Sequence, residues 1–539
     1  IIAFIGECNG GEPEAVQFFT DPVSARKVLK SGDLLKACEK AWNPVSKTKS
    51  GVSLGGANTI ACIRSNKATK SSYSILKEEN ETPQLKFVST DWGENTAHQI
   101  KMGNGTLTGT KKVIIYDQST EVYETVDNIG NVFTIGYKGE QPYVELNIYN
   151  DGNNSMYLQT KIGEDAENAI EDISIKLDTN LFKSMKSLIL QLQSYENYVV
   201  SATNNYNTKL EVTDLDFVNK ANIKLVPGQE TYRVTAIYAD LKSKLSTNSQ
   251  LVELSEFDKT QGEIANFDYI TLEGGTEGVS SASWIEYFDK LSNFDITYIV
   301  PLTDDISIHS ELASHIDTLS GNLGKERRAI VGGKNGETIS DTLSRARDLS
   351  SDRIQVVHGG FYDYNNNNEL ELYAPYILAA AHAGRAAYLE DGESATHDVY
   401  RMSAPEYKLE RNEVEQLLAG GCLAFEFILG KNSTSQSYVR LVQDLTTDIT
   451  SNDSVHSERA TGALADAINK EIREELDELL TGKRTSVSDL TSAKNKVISV
   501  LDGRKRKGHI IDYKDYPTRT SRRAEDAHYV YDNVVSECT

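Results

Sequence analysis

The sequence predicts a multidomain protein of the α/β plus β class. An α/β core with a parallel sheet is interrupted by a β-rich insert and followed by a carboxyl-terminal α+β domain. Three observations carry this reading. Short apolar runs alternate with amphipathic helical patterns near the start and again between about 271 and 389, the rhythm of parallel strands joined by right-handed crossovers. From about Lys101 to Ala265 the texture changes to alternating β-branched and aromatic residues with hairpin turns. After about Arg401, two short strands are followed by long helical stripes. The expected segments are therefore 1–100 and 266–400 for the two parts of the core, 101–265 for the insert and 401–539 for the last domain. A chain of 539 residues is long enough for several cores.

Element by element, Ile1 to Ile5 reads as a buried strand and Glu7 to Pro13 as a loop. Asp21-Pro22 opens a helix with Ala25, Val28 and Leu29 on one face. Gly32-Asp33 starts a second, carrying Leu34, Leu35, Cys38, Ala41 and Trp42, and Asn58 to Ile63 returns as a strand. In the insert, Val113–Tyr116, Val132–Tyr137, Tyr143–Tyr149 and Met156–Gln159 are strands, with Asn150-Asp151-Gly152 as a hairpin turn. Removing residues 105 to 262 is expected to leave the flanking fold intact. The core resumes with a helix through Trp284, Tyr287, Phe288 and Leu291. Strands Ile296–Val300, Ala329–Val331 and Ile354–Val357 then alternate with helices through Ile308–Leu319, Ile339–Ala346 and Tyr376–Leu389. That last helix is the most apolar in the chain, interrupted by His382 and Arg385. Beyond it lie strands Leu423–Leu429 and Tyr438–Val442. A helix with Leu464, Ile468, Ile472, Leu476 and Leu480 stops at Gly482, and another ends at Gly503. Asp526 to Val535 reads as a further strand.

Composition narrows the function. With 56 Lys+Arg against 79 Asp+Glu the formal charge is -23, which disfavours a general binder of nucleic acid or anionic membrane. No apolar run approaches the roughly 20 residues of a membrane span. The five cysteines are scattered, without a C-x-x-C pair or metal-ligand spacing, as in a reducing cytosol.

Each candidate for chemistry meets a plainer reading. Val331 to Thr338 is a glycine-rich turn between strand and helix, yet Gly336 is followed by Glu337, an acid where a P-loop would place phosphate. Asp304, Asp305 and His309 cluster at the carboxyl end of a parallel strand, where α/β sheets bind ligands, but helix capping explains the aspartates equally well. His358 reads as a loop-end histidine. Asp363 to Glu369 alternates oxygens like a calcium loop but lacks the glycine and the terminal acid, so an exposed turn is favoured. Cys422 reads as a buried thiol. The basic run Arg504, Lys505, Arg506 and Lys507 is either a solvated helix end or an interface patch. No catalytic residue, metal site or cofactor is expected.

Several segments together resemble the tail sheath proteins of contractile-tailed, myovirus-type bacteriophages, closest to those of large phages of Gram-positive bacteria. They are Phe4 to Glu7 with Gly10 to Pro13, Ser31 to Leu34, Gly56 to Asn58, Asp127 to Asn131 running into Phe133 to Gly139, and Leu272 to Gly278. Tyr298 to Leu302, Arg328 to Gly333, Val442 to Thr447, and Lys470 to Arg473 through Gly482-Lys483 follow in the family's order. The resemblance implies a structural subunit that polymerises as stacked hexameric rings around a tail tube and contracts to drive the tube through the host envelope. Its implied partners are other copies of itself, the tail tube protein, and baseplate and tail terminator proteins. Its implied place is the virion, after assembly in the host cytoplasm. It also implies an outward-protruding insert, a carboxyl-terminal region facing tube and neighbours, and terminal arms before Ile1 and after Thr539 that add strands to neighbouring sheets. On that basis the span alone is expected to stay monomeric. Two other functions remain open beside it: a receptor- or carbohydrate-binding phage protein, suggested by exposed aromatics in the insert, and a nucleotide-dependent α/β enzyme.

Overall fold

Five residues, Ile2–Gly6, form the strand around which the first unit is built, and all five are buried. Alternate side chains serve different layers. Ile2 and Phe4 pack with the helices Pro22–Leu29, Asp33–Trp42 and Pro375–Tyr388 on one face, while Ala3 and Ile5 pack with Ile285–Leu291, Ile306–Asp317, Ile339–Leu349 and Arg411–Ala419 on the other. A strand covered on both sides must be apolar at every position, which is why this run shows no alternation.

The computed structural model describes residues 1–48, 53–77, 82–153, 155–179, 184–203, 206–228, 230–430, 437–451, 453–480 and 487–513. The expected strand at Asp526 to Val535 and the helix stop at Gly482 lie outside these residues.

The central sheet has seven strands in the order Val16–Phe19, Ile60–Arg64, Ile2–Gly6, Tyr298–Pro301, Arg328–Gly332, Ile354–Val357 and Cys422–Leu423. All neighbours are parallel except the edge strand Val16–Phe19, which lies between the expected loop Glu7 to Pro13 and the helix start at Asp21-Pro22 and is not among the expected strands. The parallel core thus follows the expected rhythm. Asp21 caps the first helix, accepting from the amides of Val23 and Ser24, with Pro22 in the first turn. A four-stranded sheet joins Phe425–Ile428, Tyr438–Leu441, Val399–Tyr400 and Val45–Lys47. The expected strand Leu423–Leu429 is split at Ala424, so that its first part joins the central sheet and its second this one. The helices Arg459–Leu480 and Val487–Arg506 pack through Leu464, Ile468, Ile472, Val500 and Leu501. The second helix runs through Gly503 instead of ending there. Gly503 lies in its last turn, where a glycine costs only about 1 kcal/mol and helical hydrogen bonding continues.

Residues 68–278 form the second unit, and residues 1–67 with 279–539 the first. The sequence reading drew its divisions at 100/101, 265/266 and 400/401. Within the second unit, Leu85–Ser89 pairs with Val252–Phe257 and with Ser72–Ile75, holding the polar stretch before 101 to this unit. Its two cores are nested. One cluster draws on residues 85–129 and 237–272, and the other lies wholly within 132–236. Asn131 pairs with Thr235 where the inner segment leaves and returns.

Candidate functional site

The glycine-rich turn after Arg328–Gly332 is filled by its own acid. A β-carbon on Gly333 would stand 1.8 Å from Oε2 of Glu337, so that carboxylate rests against the glycine where a phosphate would lie. Glu337 pairs with Arg345 at 2.5 Å, and Thr338 caps the following helix reciprocally with Asp341. The aspartates nearby are also used structurally. Asp305 accepts from Ser307 N at 2.8 Å as the cap of Ile306–Asp317, and the Asp304 carbonyl accepts from Arg345.

His309 is wholly buried. Arg345 donates to its Nδ1 at 3.1 Å, so Nε2 carries the proton and donates to the Thr303 carbonyl at 2.9 Å. Burial first, and then the Arg345 charge, push its pKa down to about 3. His358 takes the Tyr407 hydroxyl on Nε2 and gives its Nδ1 proton to Thr342 Oγ1 at 2.7 Å, and burial lowers it to about 4. Both are neutral, satisfied side chains. Cys422 is buried, its thiol pushed up to about 12, chiefly by desolvation.

Asp363 to Glu369 forms the tip of the hairpin Phe361–Tyr364 with Leu370–Tyr373. Asn365 Oδ1 accepts from the amides of Asn367 and Glu369, and Asp363 pairs with Lys40, so the oxygens turn inward to the chain. Among the described residues no group of three or more His, Cys, Asp or Glu is placed to hold a metal ion. Nor is any described helix long and apolar enough to cross a membrane.

In the basic run, Arg504 bonds Glu471 at 2.7 Å, Asp391, and His509 Nδ1 at 3.2 Å. Lys505 pairs with Asp512 at 2.8 Å, and Arg506 Nε donates to the Asp502 carbonyl at 3.3 Å. Lys505, Arg506 and Lys507 are exposed.

What the sequence reading missed is a buried polar clamp joining the helix Arg459–Leu480 to the central sheet. Asp444 is 2% exposed, and both its oxygens are engaged. Oδ1 accepts from Gln355 Nε2 at 2.9 Å and His382 Nε2 at 3.2 Å, while Oδ2 accepts from Arg459 Nε at 2.8 Å and the Ala395 amide at 3.1 Å. Arg459 also donates to the Tyr298 hydroxyl at 3.0 Å and the Glu393 carbonyl at 2.8 Å. Burial alone would raise the Asp444 pKa. The Arg459 charge and the His382 hydrogen bond outweigh it and hold the carboxyl far below its usual range. One helix turn from His382, Arg385 pairs with Asp398 at 2.7 Å, both side chains fully buried. A second seam runs along the helix Arg459–Leu480. Asp466 holds Arg328 at 2.7 Å and Arg353 at 3.0 Å, and Glu326 holds Arg353 and Arg473.

These joints fall on the segments that carry the family resemblance. Tyr298, Arg328, Asp444 and Arg473 each belong to one of the motifs, and the motif Leu272 to Gly278 contributes Gly275, whose β-carbon would meet Ser71 Oγ at 2.3 Å. The similarity extends along the chain. It is 28% identical over 517 residues to the tail sheath protein of Bacillus phage SP01, covering 95% of this chain and 85% of that one. The tail sheath protein of Staphylococcus phage Twort is 28% identical over 540 residues, covering 95% and 87%. The chain is a relative of the phage tail sheath proteins. Solved structures agree on the fold. The sheath tail protein of Listeria innocua superposes with a TM-score of 0.54 at 13% identity, covering 95% of this chain and 86% of that one. That of Desulfitobacterium hafniense gives 0.52 at 12%, covering 95% and 87%. No family model matches the sequence. Tail sheath proteins are structural components of the virion and not enzymes. In this sheath relative, accordingly, the polar groups at the strand ends serve joints.

Proposed function

We propose that the chain is a subunit of a contractile tail sheath that polymerises as stacked hexameric rings around a tail tube, and that contraction drives the tube through the host envelope. The observation that carries this is the similarity to tail sheath proteins along 95% of the chain. The physics is compatible. A contracting polymer needs subunits that move as bodies between two packings, with interfaces that propagate along the axis without closing. The Asp444 clamp and the Asp466 seam tie the helix Arg459–Leu480 to the sheet through buried ion pairs, so that the two move as one piece. In the sheath the second unit protrudes outward, the carboxyl-terminal region faces tube and neighbours, and the exposed Lys505, Arg506 and Lys507 lie at a contact with one of them. Baseplate and tail terminator proteins bound the polymer, which assembles in the host cytoplasm.

Electron microscopy of the complete protein, expressed with and without its tail tube protein, tests the proposal. Regular tubes with six subunits per ring support it, and their failure to form in both conditions overturns it. Charge reversal at Lys505, Arg506 and Lys507 is expected to reduce tube yield. Unchanged tubes remove those residues from the interface.

A further inference from the structure

The strand Ile60–Arg64 lies between Ile2–Gly6 and Val16–Phe19 in the central sheet, with Cys62 in register with Phe4 on one side and Gln17 on the other. The helix Asp33–Trp42 packs on the same layer, and its buried face sets the small residues Ala37, Cys38 and Ala41 beside Leu34 and Leu35. Small side chains let a helix approach closely. Here the thiols of Cys38 and Cys62 meet between helix and strand, Sγ to Sγ 3.3 Å, at 0% and 1% exposure. The other described cysteines face the backbone instead. Cys8 Sγ donates to the Gly10 carbonyl at 3.1 Å, and Cys422 Sγ lies 3.8 Å from the Gly420 carbonyl. Among the described residues no third metal-ligating group completes a cluster around the pair, so two sulfurs stand alone together. The chemistry open to two adjacent thiols is the joint loss of two electrons.

We propose that Cys38 and Cys62 are a redox pair that closes to a disulfide when the chain meets a hydroperoxide, stapling the helix Asp33–Trp42 to the central sheet. The step balances. One sulfur attacks the peroxide O–O bond, keeps one oxygen as a sulfenic acid and releases the other as water. The second thiol then attacks the sulfenic sulfur, the S–S bond forms and a second water leaves. Two thiols and one hydrogen peroxide thus give one disulfide and two waters. Position decides the product. An isolated sulfenic acid goes on to sulfinic acid, whereas here a second sulfur already stands beside the first, sealed from solvent. From 3.3 Å the pair has roughly 1.3 Å to close to an S–S bond of about 2.05 Å. Burial raises the Cys62 thiol well above its usual value, so the thiolate is scarce and oxidation is slow. A thiol-buffered medium therefore keeps the pair reduced, and a medium without thiols favours the disulfide. The chemistry belongs to the single chain and is independent of polymerisation.

The test is overnight treatment of the full chain with hydrogen peroxide at about pH 8, after purification under reductant and its removal. The intact mass is expected to fall by two hydrogens, and a peptide map made without reductant to join the Cys38 peptide to the Cys62 peptide. The melting temperature should rise by roughly 5 °C and return when dithiothreitol is added, because the link restricts the unfolded chain. C38A and C62A should each lose both the link and the rise, whereas C8A and C422A should keep both. In urea, where the native contact is gone, the same treatment should join the five cysteines without preference. The map of the native chain needs no variant, so a C38A or C62A that fails to fold leaves the test standing. Thiols at 38 and 62 that stay reduced, or that reach sulfinic acid without a link, overturn the proposal. So does a link from either one to Cys8, or a link that leaves the melting temperature unmoved.

Discussion

Asp444 and Arg459 are 15 positions apart in sequence and meet at 2.8 Å in a site from which water is excluded. Their pairing closes the chain on itself, since the Arg459 amide also donates to the Asp444 carbonyl at 3.1 Å. The first residue follows the strand Tyr438–Leu441, the second opens the helix Arg459–Leu480, and the pair pins both to Gln355 and Tyr298 of the central sheet.

Removing one partner leaves a buried, uncompensated charge, which costs about 3–5 kcal/mol. D444N and R459M are each expected to lower the denaturation midpoint of the cooperative transition by that measure, and the double variant D444N/R459M to recover part of the loss. A double-mutant cycle in urea checks this. Additive losses would show that the two residues do not act as a pair.

Acid should release the same joint. The folded Asp444 pKa lies below the unfolded value of about 3.9, so its contribution is fully present above that pH and is lost as pH falls toward the folded value. The buried histidines act earlier. His358, lowered to about 4, and His309, lowered to about 3, bind protons in the unfolded chain near pH 6.5 but not in the native one. Their contribution is therefore complete above about pH 6.5 and declines as pH falls, toward about 4 for His358 and about 3 for His309. Denaturation midpoints measured between pH 7.5 and about pH 4.5 should fall, and H358Q should flatten that slope. An identical slope in the variant would assign the decline elsewhere.

Much of this architecture was legible because it is local. The run Ile1 to Ile5, the Asp21-Pro22 start and the alternation from Tyr298 to Leu389 carry their pattern within a few residues. The clamp was not. Gln355, His382, Asp444 and Arg459 lie scattered over more than one hundred positions, and no spacing rule links them. Two signals pointed at it: polar residues interrupting the most apolar helix, and a family motif around Asp444 with no chemistry attached. The edge strand Val16–Phe19 and the strands Ser72–Ile75 and Leu85–Ser89 are short, four or five residues each, too few to establish a period against the polar residues around them. Gly503 misled because helix punctuation is a tendency that hydrogen bonding in the last turn overrides.

At the glycine-rich turn, G333A places a methyl group on the Glu337 carboxylate and displaces it from Arg345. Overpacking of this kind costs about 1–3 kcal/mol. A lowered melting temperature is expected for G333A, while nucleotides and divalent metal ions should leave the native melting temperature unchanged. A saturable shift with either ligand would reopen the turn as a binding site.

The two units give a sharper prediction. Lys67 N donates to the Val279 carbonyl at 3.2 Å and Ser65 meets Ser280 at 2.7 Å, so the chain leaves and re-enters the first unit at adjacent points. Neither hydrophobic cluster of the central sheet contains a residue from 68–278. Replacing 68–278 by a short glycine-serine linker should leave a soluble, cooperatively melting protein, because closing so short a gap costs little loop entropy. Removing only 105–262 should not. That cut keeps Leu85, Phe87, Ile100 and Met102 but deletes Val113, Ile115, Leu241 and Leu254, which bury them. The remaining strands would present an apolar face to water, and aggregation is the expected result. Size-exclusion chromatography and thermal melts of the two deletions distinguish these outcomes. A well-behaved 105–262 deletion beside an aggregating 68–278 deletion would place the division where the change in sequence texture alone puts it.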